Sequence, residues 1–417
     1  MNQRNFLSFS AYTPYAVAFL ASIAVPLRAI GVAPQQTALG LALIGTLFLF
    51  VRNADIRAQF FSTLKSPAGK SVVAIFMAWA ITVPYSYAPF GSLEIGARTA
   101  GFVLAASMIW AALRVHVETH PLMIKTLVVA ASIFTIAAVL SLNGVPLILS
   151  ALKFKLLARE NPIDAFKAYG AAAMCMAPAV IWAGRKLGGS WKWWGYAFAP
   201  MALAVAVGTQ NRSAIVSFVA MSLVVIGVVA ISRRKYTKRL SALGLSIVAG
   251  GIAWVYAENK WRPLTEGSYA PEWLIDSHRQ IIWKFSFERF LDHPWVGNGI
   301  DQLNYLPGAK VLVNISNDLA YTLPSHPHNW ALEILAETGL LGFSTVIIAL
   351  AVISWKFLKN YLAQHNEADL ALLTLWAGFW SSALFNFSIW ATWWQLTLCI
   401  VFTLIASARQ APLKLPT

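Results

Sequence analysis

AIVSFVAMSLVVIGVVAIS, residues 214–232, runs straight into RRKYTKR, residues 233–239. The first string holds no charged side chain. As a helix at about 1.5 Å per residue it measures about 28 Å, close to the roughly 30 Å of a bilayer's hydrocarbon core. The second string is a dense basic cluster of the kind that stays on the cytoplasmic side of a membrane. Together they read as a membrane span with a topology anchor. Outward from it, apolar stretches recur at 11–27, 38–51, 71–88, 99–113, 126–142, 168–184, 193–208 and 241–257, then at 340–355, 371–390 and 392–406.

These stretches predict an all-α polytopic membrane protein with about twelve transmembrane helices, because in lipid a helix satisfies its own backbone polar groups. The composition agrees. Of 417 residues 58% are hydrophobic and 12% charged, where a soluble domain carries about 25% charged residues. Residues 1–417 read as a single membrane domain, with one large polar insertion, 258–329, between the ninth and tenth spans. Placing the N-terminus inside puts the larger share of the 32 Lys and Arg residues in cytoplasmic segments. The insertion then lies outside. The net charge of +15 reflects this bias. Nucleic-acid binding would call for a soluble basic face, and none is evident. Cys175 and Cys399 fall in apolar stretches, so no disulfide is expected.

Inside the insertion, Asp276 or Ser277 is placed to cap a helix on which Trp283, Phe287, Phe290 and Leu291 recur at helical spacing. Pro294 and Gly297-Asn298-Gly299 end it. From Asn329 onward a further helix sets Trp330 and Ile334, with Ala331 and Leu335, on one face. Glu333 and Glu337 fall on the other, and Gly339 reads as its end. Residues 144–166 could form a short surface helix.

Several outer residues could carry chemistry. Arg279 shares a face with Trp283 and Phe287 and sits in a helix's first turn, where a cation opposes the helix dipole unless an anion binds there. Pairing with Asp276 or Glu288 is the structural alternative. Arg212 follows Gly208-Thr-Gln-Asn at the start of a span, against the positive-inside bias. It suits either an anion site or an interface anchor. Arg28, Arg98, Lys153 and Arg159 also lie at outer ends and would make the vestibule cationic. His328 could take a proton as a general base, join His326 as a metal ligand, or serve a structural role at a helix start. Trp390, Trp393 and Trp394 read as an aromatic belt or a sugar-stacking platform. No Ser-His-Asp or phosphate-loop motif stands out.

His328-Asn329, nine residues and then Gly339 and Gly342 form one spacing; Arg279, Trp283, Pro294, Gly297 and Gly299 form a second. With Arg212, these resemble the bacterial O-antigen ligases and their relatives, the O-antigen polymerases and protein O-oligosaccharyltransferases. The resemblance implies a GT-C-like membrane glycosyltransferase in the bacterial inner membrane with its site facing the periplasm. It would move O-antigen polysaccharide from undecaprenyl diphosphate to a sugar of lipid A-core, without nucleotide sugar, metal or other cofactor. His328 would then activate the acceptor hydroxyl, while Arg279 and Arg212 hold the diphosphate. Arg28, Arg98, Lys153, Arg159 and Asn329 would line the substrate path. Polymerases share much of this pattern. A flippase of lipid-linked saccharides is the alternative from another class, but it should carry charge within its spans and two-fold repeats.

Overall fold

A computed structural model describes residues 3–153, 161–259, 269–315 and 318–409. The first half is a run of helices: α1 (Gln3–Ala24), α2 (Val32–Arg52), α3 (Ala54–Lys65), α4 (Pro67–Thr82), α5 (Pro89–Val115), α6 (His120–Leu142) and the short α7 (Pro146–Leu152). Then follow α8 (Pro162–Leu187), α9 (Trp191–Gly208), α10 (Arg212–Ser232) and α11 (Thr237–Asn259). The insertion contributes α12 (Ser277–Asp292) and an antiparallel hairpin of β1 (Leu312–Ile315) and β2 (Asp318–Tyr321), with Leu312 opposite Tyr321. The chain returns through α13 (Trp330–Gln364), α14 (Glu367–Ser382) and α15 (Thr392–Ser407).

Among the described residues, eight helices are long and apolar enough to cross a membrane: α2, α4, α5, α6, α8, α10, α11 and α13. The other apolar stretches also form helices, α1, α9, α14 and α15, of which α15 is a short apolar helix. The fold is therefore all-α and polytopic, apart from the hairpin. One apolar stretch departs from expectation: 371–390 is helical only to Ser382. Beyond that point 383–391 is not helical: it makes isolated turn bonds, such as Leu384 N–H to the Ser381 carbonyl and Ala391 N–H to the Ser388 carbonyl, and receives side chains such as those of Arg279 and Glu333.

The most enclosed helix is α8, which α6, α9, α10, α14 and α15 surround. Its sequence explains this. A run of Gly170, Ala171, Ala172 and Ala173, then Ala177, Ala179 and Ala183, keeps its surface narrow, and small residues let membrane helices approach closely. Opposite the α12 end of the bundle, charges tie helix ends together. Arg185 pairs with Glu367, Arg409 pairs with buried Asp369 at 2.9 Å, and Lys186 donates to the Ala408 carbonyl.

Where the segment that carries α12 meets the bundle, α13 is two helices joined at a break. Gly339 sits there at φ 62° and ψ −170°. The turn segment 294–299 crosses the break and satisfies the backbone groups it orphans. Asn298 and Gly299 donate to the carbonyls of Ala336 and Glu337 at 3.0 and 2.8 Å; Leu340 and Leu341 donate to those of Pro294 and Trp295 at 2.8 and 3.1 Å. The two chains touch so closely that a Cβ on Gly339 would lie 2.3 Å from the Trp295 carbonyl carbon. One on Gly297 (φ 70°) would lie 2.3 Å from that of Glu337. This gives the paired glycines a physical reason.

Candidate active site

Helix α12 starts as expected. Asp276 accepts from the Arg279 backbone N–H at 3.0 Å, and its second oxygen lies 3.5 Å from Arg279 Nε. Its buried face differs from the one the spacing suggested. Ile282 and Phe285 are buried, while Phe287 and Leu291 are about half exposed. The helix packs on a small apolar cluster that includes Leu303, Leu306 and Leu323, and this sets its buried face.

Arg279 and Arg212 line one cavity of about 400 Å³, between the starts of α8, α10 and α12. Lys167, Asp164, Asp276 and Asn386 also line it. Two mechanisms aim Arg212 there. Asn211 caps α10 by accepting from Ala214, and its amide N–H donates to the Lys167 carbonyl at 2.7 Å, which ties α10 to the start of α8. Lys167 was not singled out from sequence. It is an exposed cation on the first turns of α8.

His328 does not itself line this cavity but bonds to the main chain of Asn386, which does. Its Nδ1 lies 3.0 Å from the carbonyl oxygen of Asn386. A carbonyl only accepts, so Nδ1 carries the proton and Nε2 keeps its lone pair. One residue earlier in the same turn, the Phe385 carbonyl accepts from Arg279 Nη2 at 3.3 Å. The turn between α14 and α15 thus holds both candidate residues through adjacent carbonyls. Burial first, and the Arg279 guanidinium second, push His328 down to about 4. It is therefore neutral near pH 7. His328 also sits at φ 54°, a left-handed conformation that costs a non-glycine residue on the order of 1 kcal/mol or more. Trp283 helps fix this stretch by donating to the Pro327 carbonyl at 2.9 Å.

His326 packs beside His328 with ring centroids 4.1 Å apart. Burial, and then His328, push His326 down to about 3. Among the described residues no group of three or more His, Cys, Asp or Glu is arranged to hold a metal.

The remaining sequence candidates sit apart from the cavity. Asn329 caps α13, its side-chain oxygen accepting from Ala331 and Leu332 at 3.0 and 3.2 Å. Arg98 donates to the Trp390 carbonyl at 2.7 Å, Arg28 lies 4.7 Å over the Trp393 ring, and Lys153 donates to the Ile30 carbonyl at 3.1 Å. Arg159 lies outside the described residues. Trp390 and Trp394 form neither an open platform nor a belt, whereas Trp393 is partly exposed. Trp390 and Trp394 are buried, Trp394 stacked on Phe379 at 4.5 Å and Trp390 edge-on to Trp79 at 5.0 Å. The close packing of α14 and α15 encloses them.

Glu333 and Glu337, expected on the face opposite Trp330, are both buried. Glu333 accepts from Ser388 Oγ at 2.6 Å and from the Ile389 backbone N–H at 2.9 Å. Glu337 accepts from the Asp301 N–H at 2.9 Å and from the Trp390 indole. Helical periodicity cannot show that an outer segment and a distant turn cover that face.

Residues 196–347 match the model of a family described as O-antigen ligase. Over that segment the chain is similar to the O-antigen ligase family. The ligase-family segment contains Arg212, Arg279 and His328, and leaves Arg28, Arg98, Lys153 and Arg159 outside it. Two curated relatives agree. A "Putative polysaccharide ligase" of Rickettsia conorii is 24% identical over 156 residues, 36% of this chain and 37% of the relative. Another from Rickettsia prowazekii is 27% identical over 125 residues, 29% of each chain. The chain thus spans little more than a third of the length of the relatives it matches.

Proposed function

We propose that this protein is a membrane glycosyltransferase of the ligase type, with a GT-C-like fold of about twelve spans in the bacterial inner membrane. It moves O-antigen polysaccharide from undecaprenyl diphosphate to a sugar hydroxyl of lipid A-core at the periplasmic surface. One observation carries this reading. Arg212 and Arg279 line one cavity, and the turn that holds Arg279 also holds His328 with Nε2 free to accept a proton.

The diphosphate of the donor occupies the cavity, where Arg212, Arg279 and Lys167 face it. The acceptor hydroxyl attacks the anomeric carbon as its proton passes to His328 Nε2. The bond from that carbon to the phosphate oxygen breaks, and undecaprenyl diphosphate leaves with the electron pair. The guanidiniums offset the charge that grows on the leaving oxygen, and such preorganised contacts are a large catalytic term. A histidine pushed down to about 4 is a weak base in the empty site. A bound diphosphate offsets the Arg279 charge, which brings the imidazole back toward the working pH, where a general base is most effective. Arg98 and Lys153, bonded to main-chain carbonyls, shape the mouth of the vestibule. Arg28, set over Trp393, faces the saccharide.

Purified protein given lipid-linked donor and lipopolysaccharide acceptor tests the proposal. The expected product is acceptor bearing the donor's chain, formed without nucleotide sugar and in excess chelator. Lengthened donor chains with no acceptor modification would assign a polymerase instead. Movement of donor across vesicles without any new glycosidic bond would overturn the enzyme reading.

A further inference from the structure

We infer that Glu333 is a positioning residue for His328, acting through the turn that joins α14 to α15. The inference rests on the reading of His328 as the base that serves the acceptor hydroxyl.

The connection is a closed ring of bonds. Glu333 follows His328 along one segment and lies on the first half of α13. Its carboxylate takes the Ser388 hydroxyl at 2.6 Å and the Ile389 N–H at 2.9 Å. Ser388 Oγ in turn accepts from the Trp390 N–H at 3.1 Å. Two residues before Ser388, the Asn386 carbonyl meets His328 Nδ1 at 3.0 Å. The ring therefore runs from His328 along α13 to Glu333, across to Ser388, back along the turn to Asn386, and home to the imidazole. His326 also meets this carbonyl, and Arg279 holds the neighbouring Phe385 carbonyl. The turn is not helical, and it lacks an internal hydrogen-bond ladder.

The chemistry follows from the direction of each bond. Glu333 is wholly buried and accepts two donors from the turn, so removing it leaves two turn donors unpaired. The Asn386 carbonyl would then shift, and the imidazole would lose the contact that selects the Nδ1–H tautomer. With the proton on Nε2 the ring cannot accept one from a hydroxyl on that side. The charged and titratable groups facing His328 are Arg279, Asp276 and His278 on α12 and His326 beside it. From the turn itself, residues 385–390, comes no titratable side chain.

The test reads the tautomer directly. Nitrogen-15 shifts of labelled histidine are recorded for full-length protein in nanodiscs, with His328 assigned by its loss in His328→Gln. Wild type and Glu333→Gln should show Nδ1–H, since the amide oxygen still accepts from Ile389 and its NH₂ can donate to Ser388. Glu333→Ala should show mixed tautomers, and its kcat should fall at least 10-fold with donor affinity within 2-fold of wild type. Ser388→Ala removes one bond from the other partner and should shift the tautomer in the same direction. It carries the test if Glu333→Ala does not fold. Retention of pure Nδ1–H in both Glu333→Ala and Ser388→Ala would overturn the inference. The spectra need no turnover, so a wild type that forms no glycosidic bond sinks the functional reading alone.

Discussion

At the scale of single residues, the proposed roles separate kinetically. His328→Ala should lower transfer by about 10²–10⁴, the usual worth of a general base, while leaving donor affinity near wild type. Arg279→Ala and Arg212→Ala should weaken donor binding and turnover together, because a cation on the diphosphate acts in ground and transition states alike. Arg279→Lys should recover only part of this, since a point charge lacks the guanidinium fork. Donor affinity and single-turnover rate, measured side by side on folded variants, check all four. The pH profile gives a second check. His328 is pushed down to about 4 by burial and then by Arg279, so the base form persists well below the ordinary 6.5. The acid limb of kcat/KM should therefore fall near pH 4. In Arg279→Ala the second-largest cause is gone while burial remains, so the limb should move up part of the way toward 6.5. A limb at 6.5 in wild type would contradict the local electrostatics.

At the scale of elements, the break in α13 makes the sharpest stability prediction. Gly339→Ala places a Cβ 2.3 Å from the Trp295 carbonyl carbon at a left-handed φ, so backbone must move. A loss of about 1–3 kcal/mol from the conformation alone is expected, with the clash adding to it. Asn329→Ala should cost about 1 kcal/mol as a lost cap, and Asn329→Asp far less. Thermal unfolding in detergent ranks the three. These elements also show what sequence could and could not reveal. Asp276 and Ser277 announced the start of α12, because a cap is a local device, and Gly339 announced the break, because a left-handed φ selects its residue. The apolar spans announced themselves by length. The buried state of Glu333, the enclosure of Trp390 and Trp394, and the turn that ends α14 at Ser382 stayed hidden. Each depends on contacts between segments far apart in the chain, and periodicity sees one segment at a time. Lys167 stayed hidden for the same reason: only its neighbours across the cavity set it apart from other outer lysines.

At the scale of the whole molecule, the orientation proposed from Lys and Arg makes one end of the bundle periplasmic. Lys310→Cys, in the exposed outer segment, should react with an impermeant maleimide in intact cells, and Lys235→Cys should react only after permeabilisation. The reverse pattern would turn the site toward the cytoplasm and remove the proposed reaction with it. The turn between α14 and α15 has a consequence for how such a chain comes into being. The carbonyls of Phe385 and Asn386, which receive Arg279 and His328, are translated more than fifty residues after the histidine. A nascent chain that ends before α14 still lacks the carbonyls that hold Arg279 and His328. Competence arrives only when α14 and α15 have inserted and docked. On the proposed reading, a stalled chain that lacks α14 and α15 would not transfer from lipid-linked donor.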